Sequence, residues 1–270
     1  MFNITNKFPE HEARQYLDAM LKPTHDAGKL ARRRFFSEIR VSEKMDFWNI
    51  AIDVHGACEN LLINGIHGIN RSHAIHSKRT RTRHGASDWS WIVDPLDGIP
   101  NYISAIPLFG VTLTLCYAGE PVAAILYDAY QDETVHGIRG GLIFHNHTPL
   151  RDLRPDASLG NSTIGWTQGY AVRHDPVARQ VRDVVEQHSN RLLATGSHAI
   201  DTIKIATGKF GGIVSFDADA NPLCAARVIV PALGGKVTRF SRGGEDRRFI
   251  IGASPYVTEL SVHIRQAINE

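Results

Sequence analysis

Trp91-Ile92-Val93-Asp94-Pro95-Leu96-Asp97-Gly98-Ile99-Pro100-Asn101-Tyr102 joins an apolar run to a turn that carries two carboxylates. The apolar residues 91–93 predict the end of a buried strand, and Pro95, with no N–H to donate, is expected to stop its ladder at Asp94. Asp94 and Asp97 lie three residues apart across a Pro/Gly turn, so both can face one small volume. Gly98 lets the backbone come close to whatever fills that volume. Such a turn is a site for a cation, an anion or both.

The rest of the chain sets the limits of that reading. Its 270 residues, 43% of them hydrophobic, suffice for a full core in one large domain or two packed halves. A formal net charge of +2 gives no reason to expect nucleic acid or a membrane as partner. Three cysteines without a CxxC pair suit a reduced, cytoplasmic protein. The start has no charged segment followed by an apolar core, and no apolar run approaches membrane-spanning length.

Outward from the turn, the pattern is mixed. Ala13, Tyr16, Leu17, Met20 and Leu21 recur at helical spacing, and Pro23 is expected to interrupt that helix before a second one through Ala27, Leu30, Ala31 and Phe35. Ile50, Val54, Cys58, Leu61 and Leu62 form the stripe of a further helix over 47–66. Residues 68–88 turn polar and basic, with His73, His76, Lys78, Arg79, Arg81, Arg83 and His84, and read as a loop or two short strands. The plain reading is an exposed connection solvated by its charge. The functional one is an anion- or partner-binding lip built on Lys78, Arg79, Arg81 and Arg83, which would suit an acidic partner or nucleic acid. Beyond the turn, runs at 108–117, 121–127, 134–138 and 141–144 predict antiparallel hairpins. A polar passage at 145–156 then divides the chain into an α+β half, 1–150, and an α/β half, 151–270, in which strands and helices alternate with helices on both faces of a sheet.

Asp94-Pro95-Leu96-Asp97-Gly98, followed by Asn101-Tyr102, resembles the Asp-Pro-x-Asp-Gly-Thr-x-Asn-Phe signature of the inositol monophosphatase family. Gly196-Ser197-His198-Ala199 with Ala206-Thr207-Gly208 is similar to that family's Gly-Ser-Ala-Ala helix and its ending, and Ala232-Leu233-Gly234-Gly235 to its Glu-Ala-Gly-Gly strand entry. The resemblance runs from about Glu10 onward and implies a layered αβαβα fold, a homodimer and Mg²⁺-dependent hydrolysis of phosphomonoesters. By position, Asp94, the Leu96 carbonyl and Asp97 would hold metal, and the Gly98 and Ile99 N–H groups would hold phosphate.

Other positions depart from that pattern. Where the family has a Gly-Glu-Glu pair, this chain reads His73-Ala74-Ile75-His76-Ser77-Lys78, and no glutamate occurs between Glu59 and Glu120. Ile99 replaces the threonine that orients the attacking water. The Trp-Asp pair whose aspartate closes a second metal site falls at Asn221 and Pro222, the glutamate that holds a sugar hydroxyl near Ser215, and a small alanine lining the substrate becomes His198. Loss of a group that positions or deprotonates water costs on the order of 10² to 10⁴ in rate. The expectation is therefore a protein that binds phosphate or a phosphorylated small molecule with one weakly held Mg²⁺ ion and weak or absent phosphomonoesterase activity. The alternative is an active Mg²⁺-dependent phosphatase of a sugar, inositol or nucleotide phosphate with relocated ligands, Asp219 as a carboxylate or His76 as ligand to a softer ion. A binding module acting through residues 78–84 is the second alternative.

Overall fold

The computed structural model describes residues 7–39, 47–77, 85–153, 158–218, 220–240 and 248–268. Two long helices, α1 (Glu10–Arg34) and α2 (Phe47–Ile69), open it. Contrary to expectation, Pro23 does not divide α1. A proline removes one helical hydrogen bond, and here its ring is packed close against Gly65 of α2, where a Cβ would meet the Pro23 Cγ at 2.9 Å.

A seven-stranded sheet follows in sequential order: β1 (Ala74–Ser77), β2 (Trp89–Asp97), β3 (Gly110–Tyr117), β4 (Glu120–Asp128), β5 (Glu133–Ile138), β6 (Ile143–His145) and β7 (Thr148–Pro149). In this sheet, among the described residues, β1 and β2 are the one parallel pair. A short helix, α3 (Ile99–Ile103), sits between β2 and β3. The second half adds β8 (Thr163–Gln168), α4 (Pro176–His188), β9 (Arg191–Leu193), α5 (His198–Ala206), β10 (Gly212–Phe216), α6 (Ala220–Ala232), β11 (Lys236–Arg239), β12 (Phe249–Gly252) and α7 (Ser254–Ala267). Its sheet runs β11-β12-β10-β8-β9.

Packing stacks these elements into five layers. Leu17 and Met20 of α1 with Val54 and Leu62 of α2 pack on Trp91, Val93, Leu113 and Ile125 of the first sheet. On its other face, Ala124, Leu126 and Val135 meet Ala199 and Ile203 of α5 and Ala225, Val228 and Ile229 of α6. The same two helices turn Ile205, Ala226 and Val230 toward Ile213, Phe249 and Ile251 of the second sheet. Val181 and Val185 of α4 with Leu260 and Ile264 of α7 close the far side on Val214 and Phe216. Each large apolar side chain so buried contributes roughly 1.5–3 kcal/mol. The order is αβαβα, and α5 is in the middle layer with one apolar face to each sheet.

Candidate functional site

Strand β2 does not stop at Asp94. It continues to Asp97 through an irregularity: Asp94 pairs with Thr112 and Asp97 with Gly110, so three residues of β2 advance against two of β3. In a regular strand, residues three apart point to opposite faces. The extra residue of this bulge resets the alternation and brings both carboxylates to the face that looks at α5 and α6. Pro95 falls inside the bulge, where no ladder donor is required. Both aspartates are buried, at 3% and 5% exposure.

Gly98 turns the chain out of the strand. Its φ of +84° lies in the left-handed region, and a Cβ there would meet the Leu108 carbonyl oxygen at 2.6 Å, so glycine is required on both counts. Asn101 fastens the turn from behind, donating from Nδ2 to the carbonyls of Leu108 at 2.8 Å and Thr195 at 2.7 Å. That second bond joins the turn to the segment that leads into α5.

The N-terminus of α5 closes on Asp97. Ser197, its N-cap, accepts the Ile200 N–H on Oγ at 3.3 Å and donates its hydroxyl to Asp97 Oδ2 at 2.7 Å. The Ala199 N–H donates to the same oxygen at 2.7 Å. His198 Nδ1 stands 3.9 Å from Asp97 Oδ1, too far for a hydrogen bond, so it acts on the carboxylate through charge when protonated. Burial alone would raise the Asp97 pKa. The His198 contact, the Ala199 N–H and the Ser197 hydroxyl outweigh it and hold the carboxyl below its ordinary range. Behind this cradle, Thr195 Oγ1 lies 2.6 Å from Asp201 Oδ1, and Thr167 Oγ1 lies 3.4 Å from Asp201 Oδ2. Burial pushes the Asp201 carboxyl up to about 7.

The other residues singled out in the sequence are distributed unevenly around this centre. The Leu96 side chain is buried in the bulge, and Ile99 packs partly buried on the first core. Ser215 is fully buried on β10, paired with Thr167 of β8. His76 pairs with Ile92 on β1, two residues before Asp94 in the β2 register. Lys78, Arg79, Arg81, Arg83 and Asp219 lie outside the described residues. One neighbour in the basic run needs correction: His73 belongs to no lip or exposed connection, because it is buried, accepts the Trp91 Nε1–H on Nδ1 at 3.2 Å and meets the Tyr16 ring edge-on.

Sequence reasoning gave no role to Thr195, Asp201 or Glu59. Thr195 and Asp201 flank the Gly196-Ser197 helix start, and a small polar residue two positions before the cap with an acid in the first turn would have been the signal. Glu59 of α2 is buried and accepts the Ser77 hydroxyl. Ser77 pairs with Val93, whose side chain faces α1 and α2, so this carboxylate meets the sheet on the face opposite Asp94.

Two buried carboxylates at one bulge are hard oxygen donors of the kind that hold Mg²⁺ when waters and phosphate complete its shell, so one ion fits. Asp97 would offer such an ion Oδ1, since Oδ2 already accepts two hydrogen bonds. Among the described residues, no group of three or more His, Cys, Asp and Glu side chains is placed to hold a metal ion.

Comparison with known proteins agrees with this architecture. Residues 13–270 match the model of a family described as the inositol monophosphatase family. A Mycobacterium tuberculosis protein named probable inositol 1-monophosphatase is 32% identical over 156 residues, 56% of this chain and 57% of that protein. The chain thus spans less than two thirds of that relative's length. A Dictyostelium discoideum inositol monophosphatase is 23% identical over 92% of this chain and 94% of its own. Among solved structures, an inositol monophosphatase from Anabaena superposes with a TM-score of 0.83 at 20% identity, covering 95% of this chain and 97% of that one, a likeness of fold.

Proposed function

The chain belongs to the inositol monophosphatase family, and on that premise we propose that it binds a phosphorylated small molecule at the Asp94 and Asp97 turn, with one weakly held Mg²⁺ ion and weak or absent phosphomonoesterase activity. The observation that carries this reading is the state of Asp97, whose Oδ2 is taken by Ser197 and Ala199 and whose Oδ1 faces His198.

In this reading Asp94, the Leu96 carbonyl and Asp97 hold the ion, and the Gly98 and Ile99 N–H groups hold the phosphate. Bound there, Mg²⁺ would neutralise phosphate charge. The protein supplies the rest. Asp97 is fixed by α5, so its position costs no reorganisation when a ligand enters. Ile99 has no hydroxyl with which to orient an attacking water, and its side chain is committed to the core. His198 stands beside Asp97 where the family has alanine, which narrows the room for a substrate ring. Ser215, short and fully buried, does not reach a sugar hydroxyl as a glutamate would. Binding elements persist while the elements that activate water are replaced. A cytoplasmic homodimer is the working form in this reading; no described helix is long and apolar enough to cross a membrane.

The test is phosphate release from inositol, sugar and nucleotide monophosphates with Mg²⁺, Mn²⁺ or Zn²⁺, together with calorimetric binding of orthophosphate. Binding aided by Mg²⁺ and lost in Asp94→Asn, with turnover at least about 10²-fold below ordinary enzymes, is the expected result. Metal-dependent turnover of about 1–10³ per second that Asp94→Asn abolishes would replace this reading with that of an active phosphatase.

A further inference from the structure

Asp201 is fully buried in the first turn of α5. Its nearest polar neighbour, Thr195 Oγ1 at 2.6 Å, has two further contacts: it accepts the Ser197 N–H at 3.1 Å and lies 3.1 Å from the Ser197 carbonyl oxygen. A hydroxyl carries one hydrogen. Thr195 therefore cannot donate both to the Ser197 carbonyl and to an ionised Asp201, and one of the two contacts would set oxygen lone pairs against each other. A hydrogen on Asp201 resolves the conflict, and 2.6 Å is within the range of an O–H···O bond in either direction.

We propose that Asp201 is a neutral carboxylic acid in the folded protein, donating to Thr195 Oγ1, and that it is a positioning residue for Asp97. The path is short. Asp201 fixes Thr195, and Thr195 fixes both backbone groups of Ser197. That turn, held also by Asn101 on the Thr195 carbonyl, aims the Ser197 hydroxyl and the Ala199 N–H at Asp97 Oδ2.

The surroundings agree with a neutral acid. Among the described residues, the charged and titratable groups that act on Asp201 are Asp97 and His198, and Thr195 and Thr167 supply its hydrogen-bond contacts. Burial raises its pKa most, and Asp97 adds to the rise. Thr195, His198 and Thr167 oppose it, and the balance is about 7, against an ordinary 3.8. An isolated buried carboxylate is costly, and proteins avoid it by protonation.

The role of Asp201 in binding rests on the proposed phosphate site, whereas its proton does not, and the experiment separates the two. Asp201→Asn keeps an acceptor and an N–H donor, and Asp201→Ala removes both. Infrared spectra of the full chain at pH 6 are expected to show a carboxylic acid carbonyl band that Asp201→Asn lacks. Because the folded pKa is raised, the wild type holds this stability fully below pH 3.8 and loses it as pH rises toward 7, and Asp201→Asn is expected to lack that loss. Orthophosphate binding with Mg²⁺ is expected to weaken about tenfold in Asp201→Ala and to be rescued in Asp201→Asn. An absent band, or an Asp201→Asn variant with the wild-type pH slope, overturns the neutral acid. Wild-type binding by Asp201→Ala, or no rescue by Asp201→Asn, overturns the positioning role. Should Asp201→Ala not fold, the Asn variant decides alone. A wild type that binds no phosphate sinks the proposed function and with it the positioning role, and the infrared and pH measurements still decide the proton.

Discussion

Ser197 Oγ and Asp97 Oδ2 meet at 2.7 Å across 100 residues of sequence, and this bond joins the bulge of the first sheet to the helix of the middle layer. Both groups are buried, so the bond is made in low dielectric and to a charge. Hydrogen bonds of this type are worth about 1.5–3 kcal/mol.

Ser197→Ala is expected to lose about that amount of stability, because it removes one of the two donors on Asp97 Oδ2 and the Oγ that caps α5. Denaturant unfolding of wild type and variant measures it. The Asp97→Ala change in the same background tells the two causes apart: with no acceptor left at residue 97, removal of Ser197 Oγ should cost only the cap, about 1 kcal/mol. A cost equal in both backgrounds would mean that the bond to Asp97 contributes nothing.

Gly110 pairs with Asp97 across β2 and β3, and a Cβ on it would stand 2.5 Å from the Tyr127 carbonyl oxygen and 3.1 Å from the Ala199 Cβ. One neighbour is strand backbone and the other is the α5 residue whose N–H reaches Asp97, so the added methyl pushes the cradle from its carboxylate. Gly110→Ala is expected to cost about 1–3 kcal/mol by overpacking and to weaken orthophosphate binding. Calorimetry against thermal unfolding checks both, and undiminished stability would show that the helix approaches less closely than this.

The turn at Gly98 was legible because glycine acts locally and marks it whatever surrounds it, whereas Pro95, read as the end of the strand, lies inside that strand. The bulge was not, since a β-bulge is a count of residues against a partner strand, and the partner, β3, begins only at Gly110. Resemblance brought His198 and Ser215 into view, yet Asp201 escaped, because its meaning lies in Thr195 and Thr167, contacts made across elements. Pro23 and His73 misled in the same way. A proline predicts a break only if packing does not override it, as Gly65 does here. A histidine among basic residues reads as exposed until Trp91 and Tyr16 close over it.

His73 yields a pH dependence with a definite sign. Its Nδ1 accepts from Trp91, which requires a neutral ring, and protonation would set N–H against N–H. Burial lowers its pKa below 6.5, with Glu12 opposing. A lowered folded pKa means that the unfolded chain binds the proton more readily, so this stability is complete above pH 6.5 and is lost as pH falls below it. His25 and His136, also lowered first by burial, add to the same slope. His73→Gln, which keeps an acceptor for Trp91 without a titrating ring, is expected to flatten the stability curve between about pH 5 and 6.5 without abolishing its slope. His73→Phe removes the acceptor and leaves the Trp91 N–H buried and unpaired, a loss of about 1–3 kcal/mol at every pH. Thermal unfolding of the three proteins from pH 5 to 8 makes the measurement. A His73→Gln curve parallel to that of the wild type would show that the ring does not titrate with folding.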